Sequence, residues 1–294
     1  MAYCGSSREP HESPFVRPCM NPHSLLFLVA ALGALGFHPQ QDDEQEVSGA
    51  EPLTAAFEAA GIQVDYDAEY CAIPAEVVVR NELLEYLLVG SHGAAHESLF
   101  LTHVDPEMLN TALLTLGAEP GTNALWAPKD PLPSDEEIRA GVSPYDITLP
   151  AGDGFYLYTA WQEGDETYFY RVEDLVRDLA RRRTMQRHRW VFLGSRMIAR
   201  GAEGNEVFAA KAEGNLINVS FFAQGNTLLT AALESCVEQT LWLPNAWLLP
   251  PTGSPLLFIL SKEKLKDLPE GLASEVPTAL SEEEDSRGKA RRGR

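Results

Sequence analysis

The sequence is short of cysteine and of positive charge, and each shortage excludes a class of protein. It has 4 cysteines in 294 residues, and only Cys71 and Cys236 follow the N-terminal apolar run described below. Two cysteines cannot supply the four thiolates of an iron–sulfur cluster. The 23 Lys and Arg residues against 43 Asp and Glu residues give a net charge of −20, which argues against nonspecific binding to nucleic acid. A glycine-rich phosphate loop and a dinucleotide fingerprint are also missing.

The sequence also has no hydrophobic run of membrane-spanning length, and its apolar run near the N-terminus predicts export. Residues 25–36 form an apolar run of about a dozen residues, which suits a signal peptide and is shorter than the ~20 residues that span a bilayer. Ala34-Leu35-Gly36 fits a small-x-small cleavage site. We predict a signal peptide over residues 1–36 with Met20 as the true start, an exported protein of the periplasm or extracellular space, and no stable transmembrane segment after cleavage. A buried core helix is the alternative.

Composition divides the remaining chain into three parts. Residues 37–52 are polar, acidic and interrupted by Pro and Gly, which predicts a disordered linker. Residues 53–260 contain the strand-like and helix-like runs of one folded domain. Residues 261–294 carry blocks of opposite charge, and we predict that they form a disordered tail.

Strand-length apolar runs outnumber helical patterns within residues 53–260, which predicts an α+β fold with antiparallel β-hairpins or a sheet packed with two or three short helices. We expect residues 71–80 and 83–89 to pair as one hairpin. Residues 155–161 and 167–172 flank a polar turn and predict a second hairpin. The spacing of apolar residues over 172–179 predicts a short helix.

The clearest local signals belong to a helix after Asp105. Asp105 can cap the free N–H groups of the first turn, Pro106 suits the first helical position, and Gly117 supplies a left-handed stop. A second helix is predicted from the capping box formed by Ser134 and Glu137.

Four side chains near this helix are candidate metal ligands: His92, His96, Glu97 and His103. Imidazole and carboxylate groups bind zinc and other transition metals, although the order of residues is not that of a His-Glu-x-x-His metalloprotease. His96, Glu97 and Ser98 are the candidate ligand-binding residues. The alternative is that His96 and Glu97 bond to backbone groups and fix a loop. Ser98 enters a strand rather than a sharp elbow, which argues against a serine hydrolase.

Three other features each allow a functional and a structural interpretation. Cys71 and Cys236 could form one disulfide in an oxidising compartment or remain two buried thiols. The segment from Arg171 to Arg200 is rich in arginine, and could contact an anionic partner or be a solvated face that offsets nearby acidic residues. The aromatic residues of the second hairpin could form a sugar- or peptide-binding platform, or pack across the strands.

Several motifs together resemble the YdjY-like domain family, a set of mostly exported bacterial proteins of unknown function. They are Gly90 with Ala95-His-Glu-Ser-Leu99, Thr102-x-Val104-x-Pro106, Ala112-Leu-Leu-x-Leu-Gly-Ala-x-Pro-Gly121, Trp190-Val-Phe-x-Gly-Ser-Arg196, Glu213-Gly-Asn-x-Ile217, Pro244-Asn245 and Pro250-Pro-x-Gly253. The resemblance covers about residues 53–260. It implies a domain name and no established chemistry.

Together these observations predict an extracytoplasmic, noncatalytic domain that binds an envelope protein or a small ligand and needs no cofactor. The alternative is a metal-dependent enzyme or metal-binding protein that holds a divalent metal in the His96-Glu97 loop.

Overall fold

The structure is a computed structural model that describes residues 50–200 and 204–281. The predicted signal peptide, nearly all of the predicted linker and the last part of the predicted tail lie outside these residues. No helix within the described ranges is long and apolar enough to cross a membrane.

The helices and strands have the following bounds. The α-helices are α1 Ala50–Ala59, α2 Pro106–Thr115, α3 Asp135–Arg139 and α4 Ala209–Glu213, and 3-10 turns span Ala95–Glu97, Val172–Leu175, Glu234–Val237 and Glu270–Glu275. The strands are β1 Gln63–Asp65, β2 Tyr70–Val77, β3 Tyr86–Val89, β4 Ser98–Leu101, β5 Leu125–Pro128, β6 Tyr145–Thr148, β7 Gly154–Glu163, β8 Glu166–Arg171, β9 Val176–Asp178, β10 Arg183–Thr184, β11 Trp190–Phe192, β12 Met197–Arg200, β13 Asn205–Phe208, β14 Asn215–Asn218, β15 Leu229–Thr230, β16 Trp242–Pro244 and β17 Pro255–Ser261.

Eight strands form a sheet that closes on itself. Their order is β2, β17, β7, β11, β15, β14, β3 and β4, and β4 pairs back onto β2. β1 pairs with β2, and β8 pairs with β7. Smaller sheets are formed by β10-β9-β16, β12-β13 and β5-β6.

The predicted α+β class is therefore wrong, because the described chain is mostly β and its few α-helices are short. The longest of these, α1 and α2, have 10 residues each. The contacts that close the sheet join strands far apart in sequence, such as Phe258 of β17 with Ile73 of β2. The apolar runs in the sequence indicate where each strand lies and how long it is, but they do not indicate which distant strand it pairs with.

The predicted hairpin between residues 71–80 and 83–89 is also wrong. β3 pairs in parallel with β4 and antiparallel with β14, whereas β2 pairs with β1, β4 and β17. The predicted helix over 172–179 is a 3-10 turn followed by strand β9. The hairpin of β7 and β8 is confirmed, with Trp161 directly opposite Tyr168.

The helix α2 begins and ends where the sequence predicts. The Asp105 carboxylate accepts hydrogen bonds from the N–H groups of Glu107 and Met108, and Pro106 is the first helical residue. Gly117 has a φ of +73°, the left-handed conformation that glycine adopts without steric cost. The capping box of Ser134 and Glu137 is likewise confirmed at α3.

The core fills the closed sheet, and a second cluster covers the outside of β2, β7 and β17. Alternate residues of these strands point to opposite faces, so Cys71, Ile73, Leu157 and Phe258 face the main core. Tyr70, Tyr158, Leu257 and Ile259 face outward and are buried against Leu272, with Leu265, Leu268 and Val276 packed around them. Residues 262–276 thus pack on the sheet, which differs from the predicted disordered tail that begins at residue 261.

Candidate functional site

The loop between β3 and β4 holds the predicted site residues, but it does not direct them into a cleft. The side chain of His96 is 78% exposed, and its Nε2 lies 3.6 Å from Glu97 Oε1. Glu97 also faces Glu85. The pKa of Glu85 is raised by burial first, and then by the charge of Glu97 and a hydrogen bond to it. Sequence reasoning missed Glu85, because nothing in its neighbourhood marks it as the partner of Glu97.

The other predicted metal ligands take separate partners. His92 Nε2 lies 2.7 Å from the carbonyl oxygen of Lys211, and His103 Nδ1 lies 2.8 Å from Ser91 Oγ. Over the residues that the structure describes, no three His, Cys, Asp or Glu side chains are grouped so that they could hold one metal ion. The loop geometry therefore does not bring the predicted ligand set together.

The same loop packs tightly on the turn that follows α4. Gly90 N–H donates to the carbonyl oxygen of Gly214 at 2.6 Å, and Ala94 N–H donates to Asn215 Oδ1 at 3.0 Å. A Cβ atom at Gly93 would lie 2.4 Å from the Gly214 carbonyl oxygen, which is closer than real Cβ contacts. These contacts favour the architectural interpretation of the loop.

Ser98 and Ser195, the serine of the Gly194-Ser195-Arg196 motif, both direct their hydroxyl groups at backbone atoms. Ser98 is fully buried, and its Oγ donates to the carbonyl oxygen of Phe100 at 2.9 Å. Ser195 Oγ donates to the carbonyl oxygen of Asn226 at 2.6 Å and accepts from Ala210 N–H at 3.0 Å. Among the described residues, neither hydroxyl has an imidazole as a hydrogen-bond partner, as an activated nucleophile requires.

Cys71 and Cys236 are buried free thiols. Burial raises the pKa of each thiol to about 12, so both stay protonated and unreactive at neutral pH. This arrangement favours two isolated thiols over the disulfide that the sequence also allowed.

Part of the arginine-rich segment is neutralised by carboxylates of its own chain. Arg171 forms an ion pair with Glu173, which is fully buried and also accepts from Trp190 Nε1 at 3.1 Å. Arg187 binds Asp174 through two hydrogen bonds of 3.0 and 2.6 Å. Arg171 thus belongs to a buried ion pair, whereas Arg187 remains exposed and offsets an acidic residue as the solvated-face interpretation expects.

The aromatic residues of the hairpin pack across the strands and also form one wall of a groove. The rings of Tyr168 and Tyr170 stack on the buried ring of Trp161, with centroid distances of 5.7 and 5.5 Å. Cross-strand packing of this kind stabilises a hairpin. The outer parts of Tyr168 and Tyr170 line a groove of about 960 Å³.

Another part of the groove lining is the loop from Ala246 to Pro251. Trp247 lies on this loop and is 90% exposed. The loop is held by Arg80, whose guanidinium donates to the carbonyl oxygens of Ala246 and Leu249 at 2.9 and 3.1 Å. Asn245 fixes the start of the loop through Asp174 and Leu175. Trp247 is therefore an exposed ring on an anchored backbone.

We call this feature the aromatic groove and define it by Tyr168, Tyr170, Trp247, Leu249, Pro250 and Pro251. Its lining combines aromatic and aliphatic side chains with polar residues, among them Glu163, Arg80 and the segment from Thr278 to Ser281. Such a surface can stack against flat or ring-shaped groups of a ligand. The sequence contained a signal for it, since Pro244-Asn245 and Pro250-Pro251 belong to the family motifs quoted above, but it did not show that Tyr168 and Tyr170 line the same groove.

A comparison with known domain families matches residues 62–261 to the YdjY domain. A search of curated proteins finds no match, and a search of solved structures also finds none. The match covers more than half of the chain and includes the predicted site loop and the strands around the aromatic groove.

Proposed function

The chain belongs to the YdjY domain family, and we propose that it is an exported, noncatalytic domain that binds an extended polypeptide of a partner protein in the aromatic groove. The observation that carries the proposal is Trp247, which is 90% exposed on a loop anchored by Arg80 and Asn245. A ring of this size is a typical anchor residue of a protein interface.

The chemistry of the groove suits an extended, proline-containing segment. Such segments adopt a left-handed polyproline helix in advance, so binding orders little additional backbone. Domains that recognise them use grooves lined by aromatic residues. Tyr168, Tyr170 and Trp247 supply these rings. Pro250 and Pro251 are buried and stiffen the loop that carries Trp247.

Binding is favoured over catalysis by the arrangement of the polar residues that first suggested an enzyme. His96 is exposed and adjacent to Glu97, while His92 and His103 bond to other groups. A metal-dependent enzyme would need these side chains to converge around one ion.

Export and a periplasmic or extracellular location are proposed from the sequence alone. The apolar run over residues 25–36 and the Ala34-Leu35-Gly36 site support them. An envelope protein with an exposed proline-rich segment is a partner of the expected kind.

The proposal is tested with a poly-L-proline decamer titrated against the purified full chain and against Trp247→Ala. We expect saturable binding to the wild type and binding at least about tenfold weaker to the variant, because a truncated interface tryptophan loses on the order of 2 kcal/mol or more. Isothermal titration calorimetry measures both affinities. Folding should be unaffected, since Trp247 is exposed.

Leu132→Ala is the matched control, because Leu132 is 65% exposed and does not line the groove. It should bind the peptide as the wild type does. Absence of peptide binding, or equal binding to Trp247→Ala, contradicts the proposal. A glucose or N-acetylglucosamine oligomer that binds where the peptide does not would assign the groove to a glycan instead.

A further inference from the structure

A second, smaller cavity lies beside β3 and β14 and shares no lining residue with the aromatic groove. Its volume is about 260 Å³, which corresponds to roughly nine water molecules at ~30 Å³ each. We call it the asparagine cavity and define it by Tyr86, Asn123, Asn215, Asn218, Phe222 and Asn226. A space of this size can hold one small molecule rather than a polymer.

The asparagine side chains are held in place by the surrounding backbone and side chains. Asn218 is buried and donates to the carbonyl oxygen of Ser220 at 2.6 Å. Asn226 lies between Arg196 and Glu213, with hydrogen bonds of 2.7 and 2.5 Å to them. These bonds fix the amide groups before any ligand arrives, which lowers the entropic cost of binding.

Asn123 retains a buried acceptor beside this cavity. Its Nδ2 donates to the carbonyl oxygen of Phe222 at 2.7 Å. Its Oδ1 is buried and has no hydrogen-bond partner among the described residues. A buried polar atom without a partner costs free energy, so a small movement of the Asn123 side chain that lets a ligand hydroxyl donate to Oδ1 would be stabilising.

One wall of the cavity is aromatic. Tyr86 and Phe222 stack with their ring centroids 5.1 Å apart and their planes within 5°. The pKa of Tyr86 is raised to about 12, by burial first and then by the nearby charges of Glu85, Glu213 and Glu97. The phenol group therefore remains a hydrogen-bond donor at neutral pH.

The charge of the lining residues limits the chemistry of a ligand. They include no lysine or arginine among the residues described here, and the Arg196 guanidinium beside Asn226 is already bonded to that amide, so the lining itself offers an anion no positive charge. Glu213 is the one lining carboxylate, and it already accepts from Asn226 Nδ2. Amide groups both donate and accept hydrogen bonds, as the hydroxyl groups of a sugar do.

We propose that the asparagine cavity binds a neutral, polyhydroxylated small molecule of about one sugar ring. The amides of Asn123 and Gln224 and the hydroxyl of Tyr86 pair with its hydroxyl groups, and the stacked rings cover its apolar face. This site is separate from the aromatic groove, and either can exist without the other.

Ligand-observed saturation-transfer NMR on the full chain tests the assignment, with glucose, galactose and N-acetylglucosamine as probes and glucuronate as their charged counterpart. At least one neutral sugar should show saturable binding, and glucuronate should bind at least tenfold more weakly. Tyr86→Phe keeps the ring stack but removes the hydroxyl group. It should lower the affinity for the neutral sugar about fivefold, because that is the effect of losing one neutral hydrogen bond. Combining it with Gln224→Ala should weaken binding about twentyfold, the effect of two such bonds.

Gln224 is exposed, so its replacement leaves the fold intact. Tyr145→Phe is the matched control, because Tyr145 is an exposed tyrosine that does not line the cavity, and it should bind sugar as the wild type does. Trp247→Ala should also bind sugar normally, which separates this site from the groove. Absence of saturable binding by all neutral probes, equal binding of glucuronate, or an unchanged affinity in the double variant would each overturn the assignment.

Discussion

His188 shows how burial determines the charge of a single residue. Its Nδ1 lies 3.1 Å from the carbonyl oxygen of Gln186, so the Nδ1–H form donates there. Its Nε2 is buried and has no hydrogen-bond partner among the described residues. The imidazole ring packs against the Trp190 ring, with 4.8 Å between the ring centroids. Burial lowers the pKa of His188, although the Glu173 carboxylate acts in the opposite direction. The folded protein therefore favours the neutral imidazole.

This arrangement predicts a loss of stability in mild acid. The pKa of His188 in the folded state is below the ordinary value of 6.5, so the unfolded chain binds the proton first as pH falls. The contribution of neutral His188 to the free energy of unfolding is therefore complete above pH 6.5, and it is lost as the pH decreases below that value. Urea unfolding at pH 5, 6, 7 and 8 should show that the free energy of unfolding decreases toward pH 5. The decrease should be smaller in His188→Phe than in the wild type.

His103→Gln is the control for this measurement, because His103 is exposed. It should keep the pH dependence of the wild type. If His188→Phe and the wild type lose the same free energy of unfolding between pH 7 and pH 5, His188 is not the group responsible.

At the scale of elements, the loop between β3 and β4 depends on how closely it approaches the turn after α4. Both Gly90 and Gly93 lie beside Gly214, and neither has a positive φ. A Cβ at Gly93 would be 2.4 Å from the Gly214 carbonyl oxygen, whereas one at Gly90 would be 3.6 Å away. Comparing alanine substitutions at Gly93 and Gly90 therefore separates the effect of steric crowding from the general effect of replacing a glycine.

We predict that Gly93→Ala lowers the free energy of unfolding by about 1–3 kcal/mol, because the backbone of the turn must shift. Gly90→Ala should change it by less than about 1 kcal/mol, since a 3.6 Å approach is an ordinary contact. Denaturant unfolding measures both. Equal effects of the two variants would show that the close packing of loop and turn is not a source of stability.

At the scale of the whole molecule, the outer face of the closed sheet depends on residues 262–276. Leu272 is almost fully buried, and it covers Tyr158 and Ile259 on the outside of the sheet. Leu265 N–H donates to the hydroxyl of Tyr158 at 2.8 Å, and Lys262 Nζ donates to the carbonyl oxygen of Leu116 at the end of α2 at 3.0 Å. This segment is therefore part of the folded body.

A chain that ends at Ser261 should be less stable than the full chain by at least about 3 kcal/mol, because it exposes apolar surface worth roughly 1.5–3 kcal/mol for each large side chain. A chain that ends at Ser281 keeps the covering segment and is the matched control, with a melting temperature close to that of the full chain. Thermal unfolding followed by circular dichroism compares them. Equal melting temperatures for the two truncations would contradict the packing of residues 262–276.

A feature could be predicted from the sequence when the residues that form it are close together along the chain. Asp105 caps residues two and three positions away, and the hairpin of β7 and β8 needs only its own short turn, so local patterns identified both. Tyr168 and Trp247 line one groove, although neither residue's neighbours in sequence indicate the other. The loop containing His96 was recognised, but whether its side chains converge depends on Gly214 and Asn215, more than a hundred residues later.

The amino-acid sequence by itself determined the boundaries of α2, the capping box of α3, the hairpin of β7 and β8 and the family of the chain, because caps, turns and motifs act over a few neighbouring residues. Only the tertiary structure decided that the sheet closes through β4 and β2, that residues 262–276 cover it, and that the histidines diverge. Pairing between distant strands depends on the complementary surfaces of the whole fold, and no local pattern contains that information.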